Sequence, residues 1–288
     1  MRTDSMTTKT KNTDANAKNT SLLKLLKPAD LLSILNALFG FAAILFVLDG
    51  TSVTERALEN ALVLILLAVV ADCLDGTVAR KMGSSPIGKY LDSLADMVSF
   101  GVAPAIVTYV LFKSHLRVPS MYTGVVLAVC SAYVVCGMLR LARFDAKPFF
   151  QKESFTKGTT TLNTGSLFGR GEKVSDGFFE GFPITGSATF LASFMLLTIE
   201  LQPQVPIPLS VPILIGLIGL LCLLMTSRIQ YRNIRDKRIT IPVGMVFLTL
   251  FVLYITSSAF IYPALAVAVL TAFYICSPFL YKKRENFM

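Results

Sequence analysis

Four aspartates occur as two spaced pairs within an otherwise apolar stretch of the chain. Asp72 and Asp75 are three residues apart, and Asp92 and Asp96 are four residues apart. On a helix, each of these spacings places both side chains on the same face. A turn over residues 83–86 folds the two helices antiparallel. The pattern therefore predicts that all four carboxylates converge on one point.

Carboxylates inside apolar helices require a compensating interaction. Each one costs about 2.5–3.5 kcal/mol at the centre of a bilayer, and less near its surface. Hard divalent cations such as Mg²⁺ and Mn²⁺ prefer carboxylate ligands and complete their coordination with phosphate oxygens. The four aspartates thus predict a site for a metal and a pyrophosphate, with room for two ions. Two alternatives are interfacial acids paired with nearby Lys and Arg, and a cation transporter.

Apolar segments of bilayer-spanning length must carry these pairs. Hydrophobic residues make up 53% of the 288 residues, and runs of about 17–22 residues are long enough to span a bilayer as helices. Eight spans are predicted, over residues 31–47, 57–79, 91–112, 121–141, 184–199, 207–225, 239–255 and 260–279. The predicted fold is an all-α, polytopic transmembrane bundle of about eight helices.

The distribution of positive charge predicts the orientation of the bundle. With a cytoplasmic N-terminus, all Lys and Arg residues except Arg56, Lys113 and Arg117 fall on the cytoplasmic side or at the inner ends of spans, as the positive-inside rule requires. Both termini and the aspartates would then be cytoplasmic, in a multi-pass membrane protein. The net charge of +9 suits anionic lipid headgroups, and no basic domain with interleaved aromatics indicates nucleic acid.

The aspartates belong to a longer pattern with a known counterpart. It reads DxxDGxxAR, a spacer, and GxxxDxxxD, and its fixed positions are Asp72, Asp75, Gly76, Ala79, Arg80, Gly88, Asp92 and Asp96. This pattern resembles the signature of the CDP-alcohol phosphatidyltransferases. Residues 92–104, 140–144, 179–183 and 224–231 are similar to the phosphatidylserine synthase and archaetidylserine synthase branch, although Asp30 stands where Asn is expected.

The resemblance implies an enzyme that transfers a phosphatidyl-type group from CDP-diacylglycerol or CDP-archaeol to L-serine and releases CMP. Acceptors of sibling enzymes are inositol phosphate or glycerol phosphate. By the matched positions, Asp72, Asp75 and Asp92 are metal ligands for Mg²⁺ or Mn²⁺. Asp96 is expected to be a ligand of a second ion, the general base, or both. Family members are commonly homodimers, so a homodimer among membrane lipids is expected.

Small and basic residues of the signature are candidates for substrate binding. Gly76, Ala79 and Gly88 remove bulk where the nucleotide would pack, although small residues also let membrane helices approach. Arg80 lies one turn beyond Asp75 and is predicted to clamp a phosphate, with an interfacial anchor as the alternative.

Four further polar residues outside the signature are candidate substrate contacts. Ser33 and Asn36 share a face of the first span and could hydrogen-bond the cytidine or the pyrophosphate; bonding between helices is the alternative. Arg140 and Arg143 end the fourth span and could bind the serine carboxylate or a phosphate, or act as interfacial anchors.

Three regions of the chain are predicted. Residues 1–27 form a polar tail, with a possible interfacial helix near its end or an irregular linker. Residues 28–231 form the membrane domain that carries the resemblance, including a cytoplasmic insertion over residues 151–176. Residues 232–288 form a pair of transmembrane helices and a basic tail.

Overall fold

Six long apolar helices make up most of the chain described by the computed structural model. The described residues are 26–49, 54–83, 85, 87–116, 118–156, 178–201, 207–232 and 264–275. The six helices are α1 (Pro28–Leu48), α2 (Glu55–Met82), α3 (Gly88–His115), α4 (Thr123–Thr156), α5 (Ile184–Leu201) and α6 (Ile207–Thr226). Each is long and apolar enough to cross a membrane. A shorter helix, α7, spans Ala264–Ile275.

The six helices coincide with the first six predicted spans, which confirms a helical, multi-pass membrane bundle. The seventh predicted span, residues 239–255, lies outside the described residues, and only α7 is described within the eighth. The count of eight and the position of the termini therefore stay predictions. Helix α4 runs on to Thr156, so the insertion predicted over residues 151–176 begins as helix. Its remainder and the tail up to residue 25 also lie outside the description.

The helix ends follow local sequence signals. Helix α1 begins with Pro28, whose fixed φ suits the first helical position, and the Asp30 carboxylate accepts a hydrogen bond of 2.7 Å from the Lys27 backbone N–H. The Thr54 hydroxyl accepts one of 3.2 Å from Ala57 N–H at the start of α2. Gly83 ends α2 with φ of 77°, a conformation that glycine adopts without strain. Helix α3 begins five residues after Gly83, at Gly88.

Helix α3 is not regular throughout. It is α-helical over Gly88–Asp96 and becomes π-helical over Met97–Val102 and again over Leu111–His115. Ser99, in the first π segment, lies so close to α1 that a Cβ on Gly40 would be 2.5 Å from its Cα. The Tyr133 hydroxyl on α4 donates a hydrogen bond of 3.1 Å to the Phe100 carbonyl. The widened turn is thus held from two sides, directly after Asp96.

The helices pack so that both aspartate pairs face neighbouring helices. Helix α1 lies along α2 and α3, α2 packs against α5, and α4 packs against α6. The core is apolar and centres on Phe100, Tyr133 and Phe182, each at most 1% exposed. Leu38 and Phe41, on the outer face of α1, are more than half exposed. Such a face suits lipid tails because they are as apolar as the side chains themselves.

Two short strands are an exception to the all-α prediction. Strand β1 (Phe178–Glu180) pairs antiparallel with β2 (Gln230–Arg232), with Phe179 opposite Tyr231. Their backbones precede α5 and follow α6, respectively. Gly181, between β1 and α5, has φ of 82°, and its N–H donates to the Ile229 carbonyl at 2.8 Å. The pairing therefore ties together the ends of two spans on the side of the membrane that carries the aspartates.

Candidate active site

Three of the four aspartates form one compact group. Carboxylate oxygens of Asp72, Asp92 and Asp96 all lie within 4.8 Å of one another. Asp72 comes from the last third of α2, and the other two come from the first turns of α3, where a spacing of four residues aligns them. The tight turn after Gly83 brings the two helices together. The predicted convergence is thus present for these three residues.

Asp75 lies apart from this group. Its carboxylate is 5% exposed and accepts a hydrogen bond of 2.8 Å from the Ser33 hydroxyl on α1. Asp75 is thus bonded to α1, although it stays within electrostatic range of Asp72 and Asp92. All four carboxylates were predicted to meet at one point. Three of them, on Asp72, Asp92 and Asp96, lie within ligand distance of one another.

The group fits a divalent cation in charge and in chemistry. Oδ1 of Asp92 is buried without a hydrogen-bond partner among the described residues. In that same part of the chain, no Lys or Arg forms a salt bridge with Asp72, Asp92 or Asp96. Three close carboxylates repel one another, and hard oxygen ligands are those that Mg²⁺ and Mn²⁺ bind. A bound cation would reduce the repulsion among the three carboxylates and would give Oδ1 of Asp92 a partner.

Asn36 joins α1 to the group. Its Nδ2 donates a hydrogen bond of 3.2 Å to Oδ1 of Asp96, and its backbone carbonyl accepts one of 2.7 Å from the Ser99 hydroxyl. The bonds from Asn36 to Asp96 and from Ser33 to Asp75 each join two helices. Bonding between helices was the alternative interpretation of Ser33 and Asn36. Contact of either residue with cytidine or pyrophosphate stays a prediction.

The two arginines of α4 have different surroundings. Arg140 is half-buried, lies within electrostatic range of Asp72 and Asp96, and has a buried Nε with no hydrogen-bond partner in the described chain. Arg143 instead donates from Nη2 to the Ser227 carbonyl at 3.3 Å, just after the end of α6. A Cβ on Gly181 would lie only 2.7 Å from that same Nη2. Arg140 thus faces the acids, whereas Arg143 links helix ends.

The signature's small residues also differ from one another. A Cβ on Gly76 would meet no atom within 4 Å, so the space beside it is open, as nucleotide packing requires. A Cβ on Gly88 would lie 2.5 Å from Oδ1 of Asp30, so the missing side chain makes room for that carboxylate. Ala79 is half-buried, and Arg80 is exposed and donates to the Thr77 hydroxyl at 3.1 Å.

Sequence reasoning missed two features near the group. Asp30 is 2% exposed and packs against the start of α3; its only sequence signal was its place in a pattern that expects Asn. Lys89 forms an ion pair of 3.2 Å with Asp145 and lies 5.5 Å from the centre of the Phe144 ring. Lys89 and Asp145 are far apart in sequence, so no spacing rule could pair them.

The fold and the site together indicate the class of protein. This is a multi-pass helical membrane protein with a half-buried trio of carboxylates that could hold a metal ion. Residues 26–168 match the family model described as CDP-alcohol phosphatidyltransferase. This segment therefore forms a CDP-alcohol phosphatidyltransferase domain, and the family predicted from the signature is confirmed.

The chain is also similar to several curated proteins. The chain is 39% identical over 170 residues to the archaetidylserine synthase of Methanothermobacter thermautotrophicus, covering 58% of this chain and 57% of the relative. It is 39% identical over 125 residues to the CDP-diacylglycerol–serine O-phosphatidyltransferase of Methanocaldococcus jannaschii, covering 43% and 51%. For the Saccharomyces cerevisiae enzyme of the same name, the identity is 39% over 128 residues, covering 43% of each chain. The chain thus spans about half the length of these relatives.

Proposed function

We propose that this protein transfers a phosphatidyl-type group from a CDP-lipid to L-serine and releases CMP. The observation that carries the proposal is the trio of Asp72, Asp92 and Asp96, whose carboxylates lie within 4.8 Å of one another inside the family signature. The relatives' names, archaetidylserine synthase and CDP-diacylglycerol–serine O-phosphatidyltransferase, support serine as the acceptor. They leave CDP-diacylglycerol and CDP-archaeol as the two donor candidates.

The aspartates are proposed to hold divalent metal. Asp72, Asp92 and Asp96 supply the closest set of ligands, and Asp75, one turn from Asp72, supplies a further carboxylate that Ser33 orients. Two ions, of Mg²⁺ or Mn²⁺, suit four carboxylates and a pyrophosphate. When bound, the metal neutralises charge on the pyrophosphate oxygens and stabilises the charge that develops during transfer.

The reaction forms one oxygen–phosphorus bond and breaks another. The serine hydroxyl oxygen attacks the lipid-side phosphorus, and the bond from that phosphorus to the bridging oxygen breaks, so CMP leaves with the electron pair. Asp96 accepts the hydroxyl proton, since its carboxylate lies within the trio. The hydrogen bond from Asn36 fixes the position of that carboxylate. Gly76 borders open space, where the cytidine nucleotide would pack; Ala79, Arg80 and Gly88 remain candidate contacts.

Arg140 is proposed to bind the serine carboxylate. Its guanidinium is half-buried near Asp72 and Asp96, and its Nε has no partner among described residues. A sibling acceptor such as inositol phosphate or glycerol phosphate would carry more negative charge and require more fixed cations. The second nearby cation, Arg143, donates to the Ser227 carbonyl. This division favours serine over a phosphorylated acceptor.

The site is proposed to open to the cytoplasm, and the protein is proposed to act as a homodimer in the membrane. Arg80, Lys81 and Lys89 surround the turn that joins α2 and α3, and Arg140 and Arg143 lie on the same side. Positive residues of short loops favour the cytoplasmic side. The dimer rests on the family resemblance alone.

The test is CMP release by purified protein with CDP-diacylglycerol and Mn²⁺ or Mg²⁺. L-Serine, inositol phosphate and glycerol phosphate are compared as acceptors, with a chelator as control. Serine-dependent release that the chelator abolishes supports the proposal, whereas release only with a phosphorylated acceptor would assign a sibling reaction. Release in detergent also separates an enzyme from the cation transporter, because detergent leaves no gradient to drive transport.

A further inference from the structure

Asn36 has one polar atom to which no described residue bonds. The residue is 0% exposed. Its Nδ2 donates to Asp96 and its backbone carbonyl accepts from Ser99, so two bonds to α3 fix its position. Its Oδ1, however, is buried and has no hydrogen-bond partner among the described residues. A buried acceptor without a partner costs about 1–3 kcal/mol, so such an atom in a well-packed site indicates a missing ligand.

The chemistry around Asn36 limits what that ligand can be. An amide oxygen accepts hydrogen bonds or binds a cation, and the carboxylate of Asp96, to which Nδ2 of Asn36 donates, does the same when ionised. An ionised phosphate or carboxylate group of a substrate has no hydrogen to donate to Oδ1 of Asn36. The missing partner must therefore be a hydrogen-bond donor or a cation, and beside the carboxylate of Asp96 a positively charged donor is favoured.

We propose that Oδ1 of Asn36 accepts a hydrogen bond from the ammonium group of the acceptor, which makes Asn36 a specificity-determining residue for amino alcohols. This inference rests on the proposed function. In serine the ammonium is on the carbon next to the one that carries the hydroxyl. When Asp96 accepts the hydroxyl proton, the ammonium is therefore close to Asn36, which is hydrogen-bonded to that same carboxylate. Arg140 binds the serine carboxylate from the opposite helix, α4.

The test combines changes to the residue with changes to the substrate. Wild type is first assayed with L-serine, so that failure of the proposed function appears before any variant is made. L-Serine is then compared with 3-hydroxypropanoate, which lacks only the amino group, either as a substrate or as an inhibitor competing with serine. Asn36→Leu removes the amide and keeps a side chain that branches at Cγ. Ser99→Ala is the matched control, because it removes a hydrogen bond to the backbone of Asn36 but leaves its side chain intact.

The expected result is a loss of discrimination confined to Asn36→Leu. Wild type and Ser99→Ala should prefer serine by at least about 30-fold, and Asn36→Leu by less than about 3-fold, since a hydrogen bond to a charged group supplies this difference. The half-saturating concentrations of Mn²⁺ and of CDP-lipid should stay within about 3-fold of wild type. Serine should also raise the melting temperature of wild type with CMP and Mn²⁺ bound, but not that of Asn36→Leu.

Four outcomes would overturn the proposal. An equal loss for both acceptors would mean that Asn36 only positions Asp96. A changed requirement for Mn²⁺ with the preference intact would assign Oδ1 to the metal. Equal loss of preference in Ser99→Ala would assign the effect to packing. If Asn36→Leu does not fold, Asn36→Asp takes its place; this variant keeps an acceptor oxygen, so loss of the serine preference there contradicts the inference.

Discussion

The Ser33 hydroxyl on α1 donates a hydrogen bond of 2.8 Å to the buried carboxylate of Asp75 on α2. The first span is thereby attached to the helix pair that carries the carboxylate trio. One turn later, Asn36 makes the corresponding bond to Asp96 on α3. Helix α1 thus contacts an aspartate of each pair, although it carries none of the signature residues.

Ser33→Ala is expected to weaken both the fold and the orientation of Asp75. Removing a buried donor to a charged acceptor should lower the free energy of unfolding by about 1.5–3 kcal/mol, and the half-saturating Mn²⁺ concentration should rise. Thermal unfolding in detergent and a Mn²⁺ titration of CMP release measure the two effects. Thr198→Ala is the control, since among the described residues its hydroxyl bonds to its own helix, at the Phe194 carbonyl. Equal effects in both variants would contradict a specific role for Ser33.

Asp96→Asn is expected to abolish turnover while leaving the fold intact. A general base contributes about 10²–10⁴-fold to a rate, and the amide cannot accept the hydroxyl proton. CMP release and CDP-lipid binding should be measured together, with binding largely retained. Asp49→Asn, at the exposed end of α1, should behave like wild type. Near-normal turnover in Asp96→Asn would remove Asp96 from the mechanism.

Gly76→Ala is expected to weaken binding of the CDP-lipid without lowering the stability of the fold. The added methyl meets nothing within 4 Å, and alanine favours a helix over glycine by about 0.8–1.0 kcal/mol, so the melting temperature should not fall. Because the nucleotide is proposed to pack there, KM for the CDP-lipid should rise several-fold. Gly216→Ala, equally unobstructed on α6, is the control for activity. An unchanged KM in Gly76→Ala would show that the open space is not used by the donor.

Gly181→Ala is expected to destabilise the link between α4, α5 and α6. At φ of 82° a side chain is strained by about 1–2 kcal/mol, and the new Cβ would also lie 2.8 Å from the Met225 carbonyl. Thermal unfolding should show a clear loss of stability, whereas Gly219→Ala, with open space at its Cβ, should show none. A wild-type melting temperature for Gly181→Ala would mean that this link can shift without cost.

Divalent metal is expected to stabilise the protein, and the chelator to reverse this. A cation that binds only the folded state at 100 times its Kd adds about 2.7 kcal/mol, here by relieving repulsion among the three carboxylates. The melting temperature should be followed against Mn²⁺ concentration for wild type and Asp92→Asn. The stabilisation should shrink in the variant because Oδ1 of Asp92, a proposed metal ligand, is buried without a hydrogen-bond partner in the described part of the chain. Identical curves for the two proteins would contradict the proposed metal site.

Much of the fold and the existence of the site were predictable from local patterns. Apolar runs of bilayer length determine spanning helices because a backbone without water must bond to itself. Spacings of three and four residues determine which aspartates share a face, and the short turn forces α2 and α3 together. The aspartate signature predicted a CDP-alcohol phosphatidyltransferase, and the family model that matches residues 26–168 confirms this family for that segment.

Only the tertiary structure decided how the polar groups divide between roles. Periodicity gives the face of a helix but not the neighbour that this face meets, so it could not show that Asp75 pairs with Ser33 while Asp72 joins α3. The sequence predicted the same roles for Arg140 and Arg143, although Arg143 donates a hydrogen bond to the carbonyl of Ser227, which is distant in sequence. Sequence likewise cannot show that Oδ1 of Asn36 has no partner among the described residues, because a missing partner is a property of packing in three dimensions.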